Sequence, residues 1–231
     1  NGFTERGWID FGLQSYYALL NCGFRMKPTA GTASGVHPVP LGFSRVYVHL
    51  PDGFDYDKWV AGLAAGRSFV TTGPMLWADV EGQPLGGSLQ LTDGKRRATV
   101  RGLATSPAPL APIEVVVNGQ VVKRVPAANR KNAAGALESP FTVDLDIESS
   151  SWVAVRVFED RKDGRVRFAH TAPIYLDVPG TRLRPRPEEI AYMIRRMKEE
   201  LKRNQNVLRP EELDEYRAAL SIYERIEAES K

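Results

Sequence analysis

The chain has 231 residues, 42% hydrophobic and 26% charged, a composition that fits a globular protein of one or two domains and excludes disordered and collagen-like chains. Its formal net charge is +3 with basic and acidic residues interleaved, so no basic patch of the kind nucleic acid requires stands out, and no run of about 18 apolar residues exists to span a bilayer. The single cysteine, Cys22, excludes an intramolecular disulfide and a cysteine-based zinc site, and leaves secreted and cytosolic compartments equally open.

The chain begins at Asn1 with no initiator Met and no leader-like run, which reads as a piece of a longer protein. In residues 9–20, Ile9, Leu13, Tyr16, Tyr17 and Leu20 fall on one helical stripe, and Asn21-Cys22-Gly23 supplies a stop. A loop rich in Gly, Ser, Thr and Pro follows from Pro28 to Gly42. Arg45 to Leu50 then reads as a strand ending in the turn Pro51-Asp52-Gly53. Tyr56 to Ala65 has helical spacing, and Ser68 to Thr72 is a second strand closed by Gly73-Pro74. Strand, crossover helix and strand predict the end of an α/β domain over residues 1–75.

Residues 76–180 break into about eight short β-prone runs: 76–80, 98–102, 113–117, 120–125, 141–145, 152–158, 165–168 and 174–178. Their spacing predicts an immunoglobulin-like β-sandwich, with Asn118-Gly119 as a two-residue hairpin turn and Pro126 to Pro140 as a surface loop. Residues 181–231 are different again, with 23 of 51 positions charged. Pro187 and Glu188-Glu189 suit a helix start. Ile190, Met193, Ile194, Met197 and Leu201 form one apolar stripe, and Leu213, Tyr216, Leu220, Tyr223 and Ile226 form a second after Arg209-Pro210. A helical hairpin is expected, capping a domain or serving as an assembly element.

The chemical inventory is thin. His37, His49 and His170 are the only histidines, and no His-x-His or His-Glu-x-x-His spacing occurs. The loop Ala30 to Gly35 lacks the Gly-Lys-Ser/Thr ending of a phosphate loop and precedes a strand. No Gly-x-Ser-x-Gly elbow is present, and sequence proximity alone does not make Ser34 and His37 a nucleophile and base. No catalytic residue is assigned. His49, in a strand, and His170, before Thr171-Ala172-Pro173, are expected to be packing or surface residues. Trp77 and Trp152 lie on β-runs, where aromatics fill sandwich cores; left exposed, either would make a sugar-stacking platform.

Four segments taken in order, Leu19-Leu20-Asn21-Cys22-Gly23, Ala30-Gly31-Thr32, Arg45-Val46-Tyr47-Val48 and Gly66-Arg67-Ser68-Phe69-Val70-Thr71-Thr72-Gly73-Pro74, resemble the C-terminal part of metallohydrolases related to carbaryl hydrolase. That group belongs to the polymerase-and-histidinol-phosphatase (PHP) superfamily. The resemblance covers roughly residues 8–80, with echoes at Val117-Asn118-Gly119 and Ala169 to Pro173. It implies a distorted (β/α) barrel, of which residues 1–75 would be the end, and a parent protein that uses a divalent metal (zinc, manganese or iron) to hydrolyse phosphoesters or carboxylic esters. The family's His-x-His motifs would precede Asn1, so the missing N-terminal part is the first expected partner. A homo-oligomer is another, because an incomplete barrel leaves open strand edges.

Where the superfamily has Asp and His after Gly-Thr, this chain has Ala33 and Gly35. Alanine offers a metal no lone pair. Either the parent binds fewer metals, or His37 substitutes as a ligand, or the parent barrel has lost catalysis. Thr32, Ser34 and Arg45 are the loop or substrate residues that the resemblance implies at the barrel mouth. The fold expected is α+β and multidomain: barrel end (1–75), sandwich (76–180), then Pro-rich linker and helical hairpin (181–231). Three functions are carried forward: the accessory, non-catalytic end of a PHP-like hydrolase, a ligand- or carbohydrate-binding sandwich, and an oligomerisation module formed by the C-terminal helices.

Overall fold

A computed structural model of the chain describes residues 4–33, 39–92 and 97–230. It is α+β, with four helices and two sheets, and separates into two units: residues up to Phe11 with Met26–Arg182, and Gly12–Arg25 with Leu183–Lys231. Helix α1 (Glu5–Asn21) contributes residues to both.

In the first unit, strand β1 (Arg45–Val48), helix α2 (Tyr56–Ala65) and strand β2 (Ser68–Thr71) follow the expected order but not the expected connection. The strands are not linked by a parallel crossover. Val48 lies opposite Ser68 and Arg45 opposite Thr71, so β1 and β2 form an antiparallel ladder and α2 sits inside a wide hairpin connection. A helix between two strands is compatible with either arrangement; here the turn at Gly53 (φ 91°) and the left-handed Gly66 (φ 76°) return the chain alongside itself.

The remaining strands are β3 (Met75–Val80), β4 (Gln83–Pro84), β5 (Ser88–Gln90), β6 (Arg97–Ser106), β7 (Ile113–Val117), β8 (Gln120–Val125), β9 (Arg130–Lys131), β10 (Leu137–Asp146), β11 (Ser151–Phe158), β12 (Phe168–Thr171) and β13 (Ile174–Asp177). One sheet runs β1-β2-β12-β11-β13-β5, with β7 and β8 added on β11; the other runs β4-β3-β6-β10-β9. All pairings are antiparallel except β13 with β5. There is no break at residue 75, because β2 pairs with β12 across about a hundred residues of chain.

One core fills the space between the sheets. Strand β10 alternates strictly, with Phe141, Val143 and Leu145 buried and Thr142 and Asp144 exposed, as a strand with one wet face must. Strand β11 is buried along nearly its whole length, with pairing partners on both edges. Leu76, Val80 and Val100 from one sheet share the core with Val115, Val155 and Leu176 from the other. The Thr71-Thr72-Gly73-Pro74 run carries the chain between sheets. Thr71 Oγ1 donates to the Pro74 carbonyl (2.6 Å) and accepts from Gly73 N–H (2.8 Å), and Thr72 Oγ1 accepts from Phe168 N–H (3.1 Å).

Asn118 (φ 49°) and Gly119 (φ 83°) make the predicted two-residue turn between β7 and β8. Two expectations in this region are corrected. Residues 126–140 are not simply a loop. Asn132 accepts from the N–H groups of Ala134 and Ala136 (3.0 Å each), and this side-chain turn pairs β9 with the start of β10. The strand expected at 165–168 begins at Phe168 instead, because Arg165 and Arg167 turn aside to Glu5 (3.4 and 3.7 Å).

The second unit joins the later part of α1 to α3 (Pro187–Asn204) and α4 (Pro210–Ser230), the expected helical pair. Ala18 and Cys22 pack with Ile190, Met193 and Ile194, and Leu220, Tyr223 and Ile226 close over them. Asn21 Nδ2 donates to both oxygens of the buried Glu189 (3.1 and 3.0 Å). Glu189 also caps its own helix by accepting from Arg186 N–H (2.9 Å).

Candidate functional site

Within the first unit, two short segments wall a cavity of about 640 Å³. The first runs from the end of β1 through α2. Asp55 caps α2 by accepting from Lys58 N–H (2.8 Å). At the other end, Gly66 adopts the left-handed conformation and Arg67 N–H reaches back to the Gly62 carbonyl (2.9 Å), a Schellman closure that fixes where Arg67 leaves the helix. Arg67 in turn accepts on its own carbonyl from His49 N–H (2.8 Å). His49 and Arg67 are thereby tied together one step beyond the β1–β2 ladder.

The second segment is the β3–β4 hairpin. Its turn, Glu81-Gly82, has both residues at positive φ (52° and 79°). Glu81 is held there by its carboxylate accepting from Thr99 N–H (2.7 Å), and Gly82 N–H donates to Asp79 Oδ1 (2.8 Å). Trp77 and Asp79 are two apart on β3 and share a face. Opposite them on β6 lie Leu103 and Arg101.

His49, Asp52, Lys58, Arg67, Trp77 and Asp79 all line the cavity. Lys58 Nζ sits 3.6 Å from Asp52, both largely exposed, a pair of little energetic weight. Arg67 is different: among the described residues its guanidinium has no carboxylate or carbonyl partner. It lies over Gly62, where an added Cβ would come within 3.6 Å of Nη2 and 3.8 Å of Nε. Asp79 is 8% exposed, and Trp77, at 44%, presents much of its indole. The cavity thus combines an aromatic wall, a half-buried guanidinium with no counter-ion among the described residues, and a buried carboxylate with one oxygen engaged by backbone.

The sequence-predicted residues gather elsewhere or nowhere. Thr32 serves the loop before β1: its Oγ1 accepts from Ser44 N–H (2.9 Å) and donates to the Ser44 carbonyl (3.3 Å). Arg45 is exposed at the head of β1, its guanidinium 5.9 Å from the Tyr47 ring, which stacks on Phe69 at 5.3 Å. Ser34 and His37 lie outside the described residues. Among the described residues, no three His, Cys, Asp or Glu side chains come together in a way that could hold a metal ion. His170 is buried in β12 with Nδ1 2.7 Å from the Thr171 carbonyl. Trp152 is fully buried, so of the two candidate platforms Trp77 alone has an accessible face.

Arg67, Lys58 and Asp79 are the residues sequence reasoning passed over. The signal for Arg67 was present in Ala65-Gly66-Arg67, a helix stop that pins the next side chain. Asp79 was signalled by its spacing from Trp77. No family model, curated protein or solved structure matches the chain.

Proposed function

We propose that this chain is a ligand-binding β-sandwich module, and that it forms the accessory C-terminal portion of a metal-dependent hydrolase of the PHP type. In this reading the sandwich is immunoglobulin-like, and the metal-bearing barrel, with its phosphoester or ester chemistry, belongs to the parent protein. The hydrolase connection is supported by the residue runs from Leu19 to Pro74 that resemble that family. The module's own contribution is to hold a small polar molecule, and one observation carries it: the accessible Trp77 indole and an Arg67 guanidinium with no partner among the described residues line one cavity of about 640 Å³. Small-ligand sites combine an apolar or aromatic wall with a few placed polar groups in cavities of this size.

The experiment is an amide and indole NMR survey of the chain against mixed fragments containing neutral sugars, sugar acids and amino acids. Shifts confined to His49, Arg67, Trp77 and Asp79 support a binding module here. Shifts nowhere, or only outside this cavity, refute it.

A further inference from the structure

The cavity's charges specify its ligand more narrowly than its shape does. Lys58 lies 3.6 Å from Asp52 with both side chains largely exposed, whereas Arg67 is the half-buried cation lining the cavity that has no carboxylate partner among the described residues. A guanidinium presents parallel N–H donors that match a planar carboxylate in a two-pronged contact. A phosphate dianion fits less well, because its second charge meets the carboxylates of Asp52 and Asp79 that line the same cavity. Asp79 has one oxygen held by Gly82 N–H at 2.8 Å, which leaves the other to accept from a ligand hydroxyl. An ammonium ligand would instead be met by the Asp52 and Asp79 carboxylates, and titration with phenylalanine tests that alternative. The face of Trp77 is electron-rich and suits the C–H-lined face of a saturated ring.

Resting on the ligand-binding reading above, we propose that the Trp77–Arg67 cavity binds a sugar acid of the hexuronate class. The ring lies against Trp77, the carboxylate is received by Arg67, and a ring hydroxyl donates to Asp79. His49, exposed and anchored by backbone to Arg67, stands at the rim as a further hydroxyl partner. The proposal involves binding only and no covalent step.

The test uses the full chain and follows the Trp77 indole N–H resonance during titration with sodium glucuronate, sodium galacturonate, glucose, glucuronate methyl ester and phenylalanine. The free acids are expected to bind roughly ten- to a hundred-fold more tightly than glucose or the methyl ester, the range a charge-assisted contact supplies. Arg67→Met is expected to erase that preference. Arg67→Lys retains the charge without the fork and is expected to restore only part of it, and both variants are checked for unchanged thermal unfolding. Trp77→Ala removes the reporter, so its loss of binding is read by calorimetry.

Equal binding of glucose and glucuronate, a preference that survives Arg67→Met, or tighter binding of phenylalanine overturns the hexuronate assignment while leaving a binding module in place. If none of these ligands moves the cavity residues and the fragment survey also fails, both proposals fall.

Discussion

Lowering the pH should unfold this chain earlier than its carboxylates alone dictate, because His170 is buried as a neutral imidazole. Its pKa is pushed down from 6.5 to about 4, by burial first and by the nearby Arg156 charge as well, while the contact with the Thr171 carbonyl works in the opposite direction. Above pH 6.5 the ring is neutral in both folded and unfolded chains, and the full stability is present. As pH falls from 6.5 towards 4, the unfolded chain takes up a proton that the folded chain refuses. Stability therefore drops by about 1.4 kcal/mol per pH unit, reaching about 3 kcal/mol once both states are protonated. That is a large share of the roughly 5–15 kcal/mol available to a domain of ordinary stability. The assay is urea unfolding from pH 7 to pH 4 of the natural chain and of His170→Gln, which cannot titrate. The variant is expected to be less stable at pH 7 but to lose stability with a shallower slope. Parallel slopes, or a His170 ring resonance titrating near 6.5 in the folded chain, would refute the reasoning.

Other perturbations have equally definite outcomes. Gly86→Ala should cost about 3 kcal/mol or more in urea unfolding, because Gly86 has φ 77° and its added Cβ would meet the Ala65 carbonyl oxygen at 2.1 Å and Gly66 C at 2.6 Å. Gly53→Ala, also at positive φ but with open space around it, should cost only about 1 kcal/mol. Glu114 lies between Arg124 (3.1 Å) and Arg156 (2.6 Å), and the Arg156 side chain is 12% exposed. Glu114→Ala therefore removes the carboxylate that the mostly buried Arg156 shares with Arg124 and should cost about 3 kcal/mol, whereas Arg124→Ala, on the wet side of the network, should cost under about 1 kcal/mol. Cys22, its thiol pushed up to about 11 by burial and by Glu189, should resist a thiol reagent at pH 8 until denaturant is added.

How much of this could be read from the sequence depended on whether the signal was local. Asn118-Gly119 tolerates positive φ at both positions by its own chemistry, so that hairpin was legible at once. The hairpin at Glu81-Gly82 was not, because glutamate rarely adopts φ 52° unaided; the bond from Thr99 N–H, eighteen residues away, holds it there. The α3–α4 pair followed from apolar spacing. The antiparallel return of β2 beside β1 did not, since a helix between two strands is compatible with either connection, and the place of β2 next to β12 joins residues far apart along the chain.

The same distinction divides the site. Trp77 was legible as a possible platform because tryptophan on a strand has only two fates, core or face. Arg67 needed the helix closure at Gly66 to bring it onto the cavity that Trp77 also lines, a common placement that spacing alone does not reveal.

The most direct measurement is the Trp77 indole N–H resonance of the full chain with glucuronate added, beside the same titration of Arg67→Met. The account predicts a saturable shift in the natural chain that weakens at least ten-fold in the variant. An indole resonance that does not move, with the chain folded and glucuronate in large excess, would contradict it.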